Sequence, residues 1–263
     1  MSRLNDKRNS ISPLGENNIR IVFATNLWAN PLLTCIVKSI IYAMGILLAL
    51  NTATQNTEIA ILDGRHILRE DSWPAESNES DRILPYLRDT LTELGLSFKD
   101  ITALFIVKGP GHFTALRIGI TIVNTLAYAL KVPVYEMDTF EMMKLKAATA
   151  KPLIALLEGG GESKFSRKFP SNMSFANAKR LDNIAQVSAN ASHALDPKIG
   201  TLDEHLEDGF LYACDLKKQP AEIKCVNLLS FGEALLSQDF DQLKKTDIVM
   251  PLYLRAPNIT IKK

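Results

Sequence analysis

The sequence predicts a mixed α/β fold on three observations. An apolar run, a polar turn and a second apolar run occupy Met44 to Gly64. A helical stripe follows through Ile83, Leu84, Leu87, Leu91 and Leu94. The run ALFIV then leads through Gly109-Pro110-Gly111 into a long apolar helix. Two hairpin strands followed by helix, strand, helix and strand describe a sheet that carries helices.

The segment 1–43 is expected to stand outside that fold, as a disordered extension or a misassigned start. Met1 to Asn18 is polar without apolar period, which reads as disorder. Leu32 to Leu50 is a stretch of 19 residues whose one charge is Lys38, close to the length that spans a bilayer. Lys38 would cost about 2.5–3.5 kcal/mol near a bilayer centre, and the second half of the stretch is better read as a strand. A membrane tether is therefore kept only as a rival. A cleaved signal peptide does not fit an apolar run so late in the chain. Met44 is expected to begin the folded part.

From Met44, MGILLALNTATQNTEIAILDG reads as strand, turn and strand. Ser80 to Leu94 is the first helix, closed by Gly95, with Pro85 expected in its first turn or at a kink. Ala103–Val107 is a buried strand, Lys108–His112 a loop, Phe113–Leu130 a helix and Val132–Tyr135 a strand. A cap at Asp138 or Thr139 opens DTFEMMKLKAATA, and Leu153–Leu157 begins a second lobe. Residues 44–150 and 151–263 are thus expected as two lobes. Beyond Pro170 the pattern weakens until about Asp208. Strand-like GFLYA and IKCVNLL follow, then a capping box at Ser230–Glu233 that opens a helix to about Lys245.

Composition excludes several classes. With 46% hydrophobic and 22% charged residues the chain is ordinary globular material. A net charge of +1, with no more than two consecutive basic residues, argues against strong binding of nucleic acid by this chain alone. Cys35, Cys214 and Cys225 make an odd set without a C-x-x-C pair, so no disulfide framework is expected and a reducing compartment fits. The four histidines show no metal-ligand spacing, and no metal site is expected.

The motifs are weighed in the same way. Gly109-Pro110-Gly111 after a strand could cradle phosphate at a helix N-terminus, but a structural turn is the stronger reading. Glu158-Gly159-Gly160-Gly161-Glu162-Ser163 also looks phosphate-binding, yet SKFSRKF after it is strand-like, which makes it a hairpin turn. His112 reads as a helix-start residue rather than a proton shuttle. Cys214 and Ser163 lie in no nucleophile motif, so no catalytic residue is expected.

Four blocks resemble the bacterial TsaB (YeaZ-type) family of tRNA threonylcarbamoyladenosine synthesis. They are Met44 with Asn51-Thr52-Ala53-Thr54, Arg82-Ile83-Leu84-Pro85, the block from Gly109 to Gly119, and Pro251-Leu252-Tyr253-Leu254-Arg255. In the third block the family's Ser is His112 and its Gly is Ala115; Gly109, Pro110, Gly111, Thr114 and Arg117 match it. Asn51 stands where the family usually has Asp. The resemblance implies an actin-like, Hsp70-like ATPase fold (RNase H-like) with two lobes, the second degenerate. It implies a cytoplasmic, non-catalytic scaffold that pairs with TsaD and with the ATPase TsaE and meets tRNA only in their complex. ATP and Fe or Zn would then be held by those partners and no cofactor by this chain. The rival is a nucleotide-binding enzyme of the same superfamily, a kinase or carbamoyltransferase.

The helix Phe113–Leu130 is apolar on most sides and must be covered on most sides. With the stripe before it, it is expected to form the partner surface, through Ile83, Leu84, Leu87, Leu91, Leu116, Ile120 and Val123. The family's known pairing with TsaD implies the same surface, which could serve a homodimer equally.

Overall fold

The computed structural model describes residues 45–76, 78–170, 196–221, 223–240 and 243–255. The extension 1–43, Met44 and most of the weakly patterned segment after Pro170 lie outside the described residues.

Among the described residues the strands form two sheets. The first is built from β1 (Ile46–Asn51), β2 (Asn56–Asp63), β3 (His66–Pro74), β4 (Ile101–Val107), β5 (Val134–Met137) and β10 (Lys244–Thr246), in the order β10-β5-β4-β1-β2-β3. The second joins β6 (Leu153–Glu158), β7 (Lys164–Phe169), β8 (Lys198–Gly200) and β9 (Leu211–Asp215) in the order β8-β7-β6-β9. Strands β1, β4 and β5 run parallel, as do β6 and β9, while β1–β2–β3 and β6–β7–β8 are antiparallel meanders. The helices are α1 (Glu79–Glu93), α2 (Phe113–Leu130), α3 (Thr139–Ala147) and α4 (Phe231–Leu236). This is the mixed α/β class that the order of elements predicts, and it agrees with the actin-like fold that the resemblance implies.

The apolar runs at ALFIV and LIALL show why the parallel strands lie inside. Leu104 to Val107 and Leu153 to Leu156 are all fully buried, which requires cover on both faces of each sheet. Helices α1 and α2 pack together, and α2 lies on β4 and β1. Phe231 and Phe240 meet Phe105 of β4, each at 6.1 Å between ring centroids. Every residue of the small helix α3 except Glu141 is buried: Met142 and Leu145 join the first sheet's core, and Phe140, Met143 and Ala147 join the second's. Even Lys144 and Lys146 are buried, because the helix is the joint between two cores.

Several expectations change. Strand β3 is missing from the sequence reading because HILREDSWP is a polar edge strand; the Asp63-Gly64 turn before it, with Gly64 at φ +56°, is the signal that could have found it. Helix α1 starts at Glu79, so Pro85 lies inside it rather than in the first turn. The capping box at Ser230–Glu233 is present, but its helix ends at Leu236 and residues 244–246 form β10. The division at residue 150 fails for the last part of the chain: Phe231, Ala234, Leu235, Phe240 and Val249 sit in the first sheet's core, and β10 pairs with β5. IKCVNLL contributes only an isolated bridge, Tyr212 to Cys225, and that bridge brings Cys214 and Cys225 into a disulfide. No spacing motif announces this pair, since edge pairing beside β9 creates it.

The largest correction concerns the expected partner surface. Ile83, Leu87, Leu91, Leu116, Ile120 and Val123 are 0–4% exposed and belong to the first sheet's core, whereas Leu84 is 44% exposed. The two helices cover each other and the sheet, which uses up the stripe. By length and composition α2 is apolar enough to cross a membrane, and this packing accounts for the apolarity. Of the stretch Leu32–Leu50, Ile46 to Leu50 form β1 at the centre of the sheet, and the residues before Gly45 lie outside the described ones.

Core and surface are separable by mutation. Leu87→Ala should cost about 2–5 kcal/mol in chemical denaturation, and Leu84→Ala about 0.5 kcal/mol or less. Equal losses would contradict this assignment.

Candidate functional site

The C-terminal ends of β1, β4, β6 and β9 face one junction between the sheets, the place where open parallel sheets gather ligands. It is lined by the turn Asn51–Asn56, the loop Lys108–His112, the end of β6 at Glu158 and the end of β9 at Asp215.

Asn51 is fully buried and all its amide atoms are engaged. Its Nδ2 donates to Glu58 Oε2 at 2.8 Å and to Thr54 Oγ1 at 3.0 Å, and its Oδ1 accepts from Ala53 N at 3.0 Å. The other oxygen of Glu58 accepts from Lys146 Nζ of α3 at 2.6 Å. Gln55 N donates to both carboxylate oxygens of Asp215 at 3.1 Å, tying the first sheet's turn to the second sheet. Glu158 accepts from Lys164 Nζ at 2.8 Å and from Lys217 N at 3.3 Å. Asp138 caps α3 by accepting from Glu141 N at 2.8 Å and takes Arg167 of β7 at 2.7 Å.

The glycines of the G-P-G loop serve close packing here. A Cβ on Gly111 would stand 1.8 Å from Ala53 O, and one on Gly119 would stand 2.3 Å from Thr52 Oγ1. Only glycine lets α2 begin this close to the turn after β1. His112 N donates to Ala53 O at 2.9 Å, and Pro110 O accepts from Thr139 Oγ1 at 2.7 Å. Thus His112 stands at the N-cap, as its place in the sequence suggests, but its ring makes no cap; its Nε2 lies 2.9 Å from Gln55 Nε2. Burial, aided by nearby Lys217, lowers the His112 pKa below its ordinary value. The neutral ring can therefore accept from the Gln55 amide.

Thr114 is exposed in the first turn of α2. Arg117 lies over the Phe113 ring at 3.9 Å and donates from Nε to Tyr253 Oη at 2.9 Å, while Tyr253 stacks on Phe113 at 4.5 Å. Leu252 N donates to Lys108 O at 2.8 Å. Two motifs far apart in sequence, the G-P-G block and P-x-Y-L-R, are thereby one structure. The glycine-rich segment after Glu158 is the β6–β7 hairpin turn, with Gly160 and Gly161 at positive φ and Gly159 N bonded to Ser163 O.

Sequence reasoning misses Gln55, Glu58, Lys146 and Asp215. Their signal is a charged or polar residue inside or at the end of an otherwise apolar element, and it becomes specific only when the sheets bring the four together. Among the described residues, no three His, Cys, Asp or Glu side chains form a group that could hold a metal ion.

Two sheets joined by a buried helix, with a polar junction at the strand ends, define an α/β protein of actin-like fold. The family model described as TsaD, tRNA N6-adenosine threonylcarbamoyltransferase, matches residues 74–195. The tRNA threonylcarbamoyladenosine biosynthesis protein TsaB of Escherichia coli is 39% identical over 98 residues, and that of Bacillus subtilis 29% over 97; each match takes in 37% of this chain and 42% of the relative. The chain thus spans about two fifths of the length of these curated relatives. The structure of YeaZ from Pseudomonas aeruginosa superposes with a TM-score of 0.54 at 19% identity, over 73% of this chain and 90% of that one. In sequence over this part, and in fold, the chain is similar to TsaB and YeaZ proteins.

Asp215 gives the junction a pH signature. Burial, with Glu58 and Glu158 adding to it against the Gln55 N–H and Lys146, pushes its carboxyl up from 3.8 to about 6. The folded form then holds this proton more tightly than the unfolded chain. Its contribution to stability is full below about pH 4 and is lost as pH rises through about 6. Asp215→Asn should therefore raise stability at about pH 7.5 by on the order of 1–3 kcal/mol and change it little near pH 4. Denaturant titrations at both pH values check this, and an equal effect at both would contradict it.

Proposed function

We propose that this chain acts in the cytoplasm, in the biosynthesis of threonylcarbamoyladenosine at position 37 of tRNA, as a subunit without catalytic residues of its own. It pairs with a TsaD-like transferase and a TsaE-like ATPase. In this reading the partners hold ATP and Fe or Zn, and tRNA is met through the complex. The observation that carries the proposal is the agreement of the G-P-G block, the P-x-Y-L-R segment and the fold with TsaB/YeaZ proteins. The junction adds support, because its buried carboxylates and amides are engaged with one another.

The partner surface follows from the corrected burial. Asn124 of α2 brackets Val249, donating from Nδ2 to its carbonyl at 3.0 Å and accepting its N–H at 2.9 Å, so the segment after β10 is strapped along the outer side of the helix. Tyr128, one turn beyond Asn124, is 88% exposed, and Ile248 and Met250 on either side of Val249 are 65% and 71% exposed. Large apolar side chains gathered at one surface mark an interaction site, and this one takes the TsaD-like partner; a second copy would be its competitor.

Sedimentation of the full chain with the TsaD-like protein of its own organism should show a stable complex. The double variant Tyr128→Ala, Met250→Glu should stay folded and bind roughly tenfold or more weakly, since anchors of this kind dominate interfaces. Unchanged affinity would remove this surface, and failure of the unaltered chain to associate would overturn the proposed function.

A further inference from the structure

Cys214 and Cys225 pack against a small separate cluster of Ile154, Leu156, Tyr212 and Ile223 on the face of the second sheet opposite Phe140 and Ala213. Their Cα atoms are 5.8 Å apart, and both residues are partly exposed. Cys225 stands beside β9 through the parallel bridge to Tyr212, and Val226 N donates to Tyr212 O at 2.7 Å. Beside this brief backbone pairing and the burial of Ile223, the cross-link is the covalent tie between this segment and the sheet edge. The residue after Cys214 is Asp215, whose carboxylate receives Gln55 N, and two positions further Lys217 N donates to Glu158. Strand β9 is paired with β6 as far as Asp215, and the disulfide fastens the segment around Cys225 to that same strand one residue before Asp215.

We propose that Cys214 and Cys225 form a reversible thiol–disulfide exchange site whose closure clamps Asp215 and Lys217 against the junction. The co-reactant is a low-molecular-weight disulfide. One cysteine thiolate attacks it, forming a mixed disulfide and releasing one thiolate; the second cysteine then attacks the protein sulfur of that mixed disulfide and releases the other. The protein pair loses two electrons and two protons, and the small disulfide becomes two thiols. The reverse exchange reopens the pair. Partial exposure gives the small reactant access, and closing a short loop removes freedom from the opened chain. The inference does not depend on the proposed function.

The test uses the full chain carrying Cys35→Ser, so that the third cysteine cannot exchange. The protein is equilibrated in glutathione buffers from fully reduced to fully oxidised, and thiols are counted by alkylation and mass spectrometry, with amide hydrogen exchange followed in parallel. The two cysteines should oxidise together in a two-electron transition. On reduction, the amides of Gln55 and Lys217 should exchange roughly tenfold faster or more, while those of Leu104 and Ile106 stay protected. Cys225→Ser should show the exchange pattern of the reduced form; if it does not fold, the reduced chain carries the comparison. Glutathione left as a mixed disulfide on either cysteine, a pair that never closes or never opens, or exchange at Gln55 and Lys217 that ignores redox state would each overturn the proposal.

Discussion

The ion pair between Lys146 and Glu58 is the constraint on which the rest of the structure depends. Lys146 sits on the one described helix buried between both sheets, and Glu58 on the strand that follows the first turn. Their side chains are only 11% and 12% exposed, so each charge must be met in place. A buried pair of this kind adds little net stability over apolar packing, yet removing one partner leaves an uncompensated charge inside. It therefore fixes how the first turn, α3 and the two cores fit together more than how firmly each core holds. Asn51 completes it by donating to the other oxygen of Glu58. An aspartate there would set a second carboxylate beside Glu58, so the neutral amide of Asn51 fits the charge of its neighbours.

From this pair outward the junction is built of close approaches. The turn after β1 can touch the start of α2 because Gly111 and Gly119 leave no Cβ in the way. The same turn reaches the second sheet through Gln55 and Asp215. Glycines after a strand can also let backbone approach a phosphate; here Gly111 approaches the Ala53 carbonyl and Gly119 the Thr52 side chain. The P-x-Y-L-R segment closes the assembly from outside, where Tyr253 locks against Phe113 and Arg117.

How much of this is legible in the sequence depends on the range over which each signal acts. The first hairpin, α1, β4, the G-P-G loop and α2 are readable, because apolar period and turn residues act locally and here agree with the fold. Ser230 and Glu233 are readable for the same reason, since a capping box needs only four residues. The edge strand β3 is hidden by its polar face. The stripe Ile83, Leu87, Leu91 reads as an apolar face, but whether a sheet or a partner covers it is a tertiary fact. The Cys214–Cys225 pair, the return of Phe231 to the first core and the meeting of Glu58, Lys146 and Asp215 all join residues far beyond the reach of a local period or turn, and no local pattern encodes them.

The central claim of the proposed function is that the buried carboxylates and amides of the junction are engaged with one another and that this chain binds no nucleotide. Calorimetric titration of the full chain with Mg-ATP tests it most directly. The account predicts no saturable heat at micromolar protein concentrations. A stoichiometric isotherm that disappears in Lys146→Ala would contradict it and favour a nucleotide-binding enzyme.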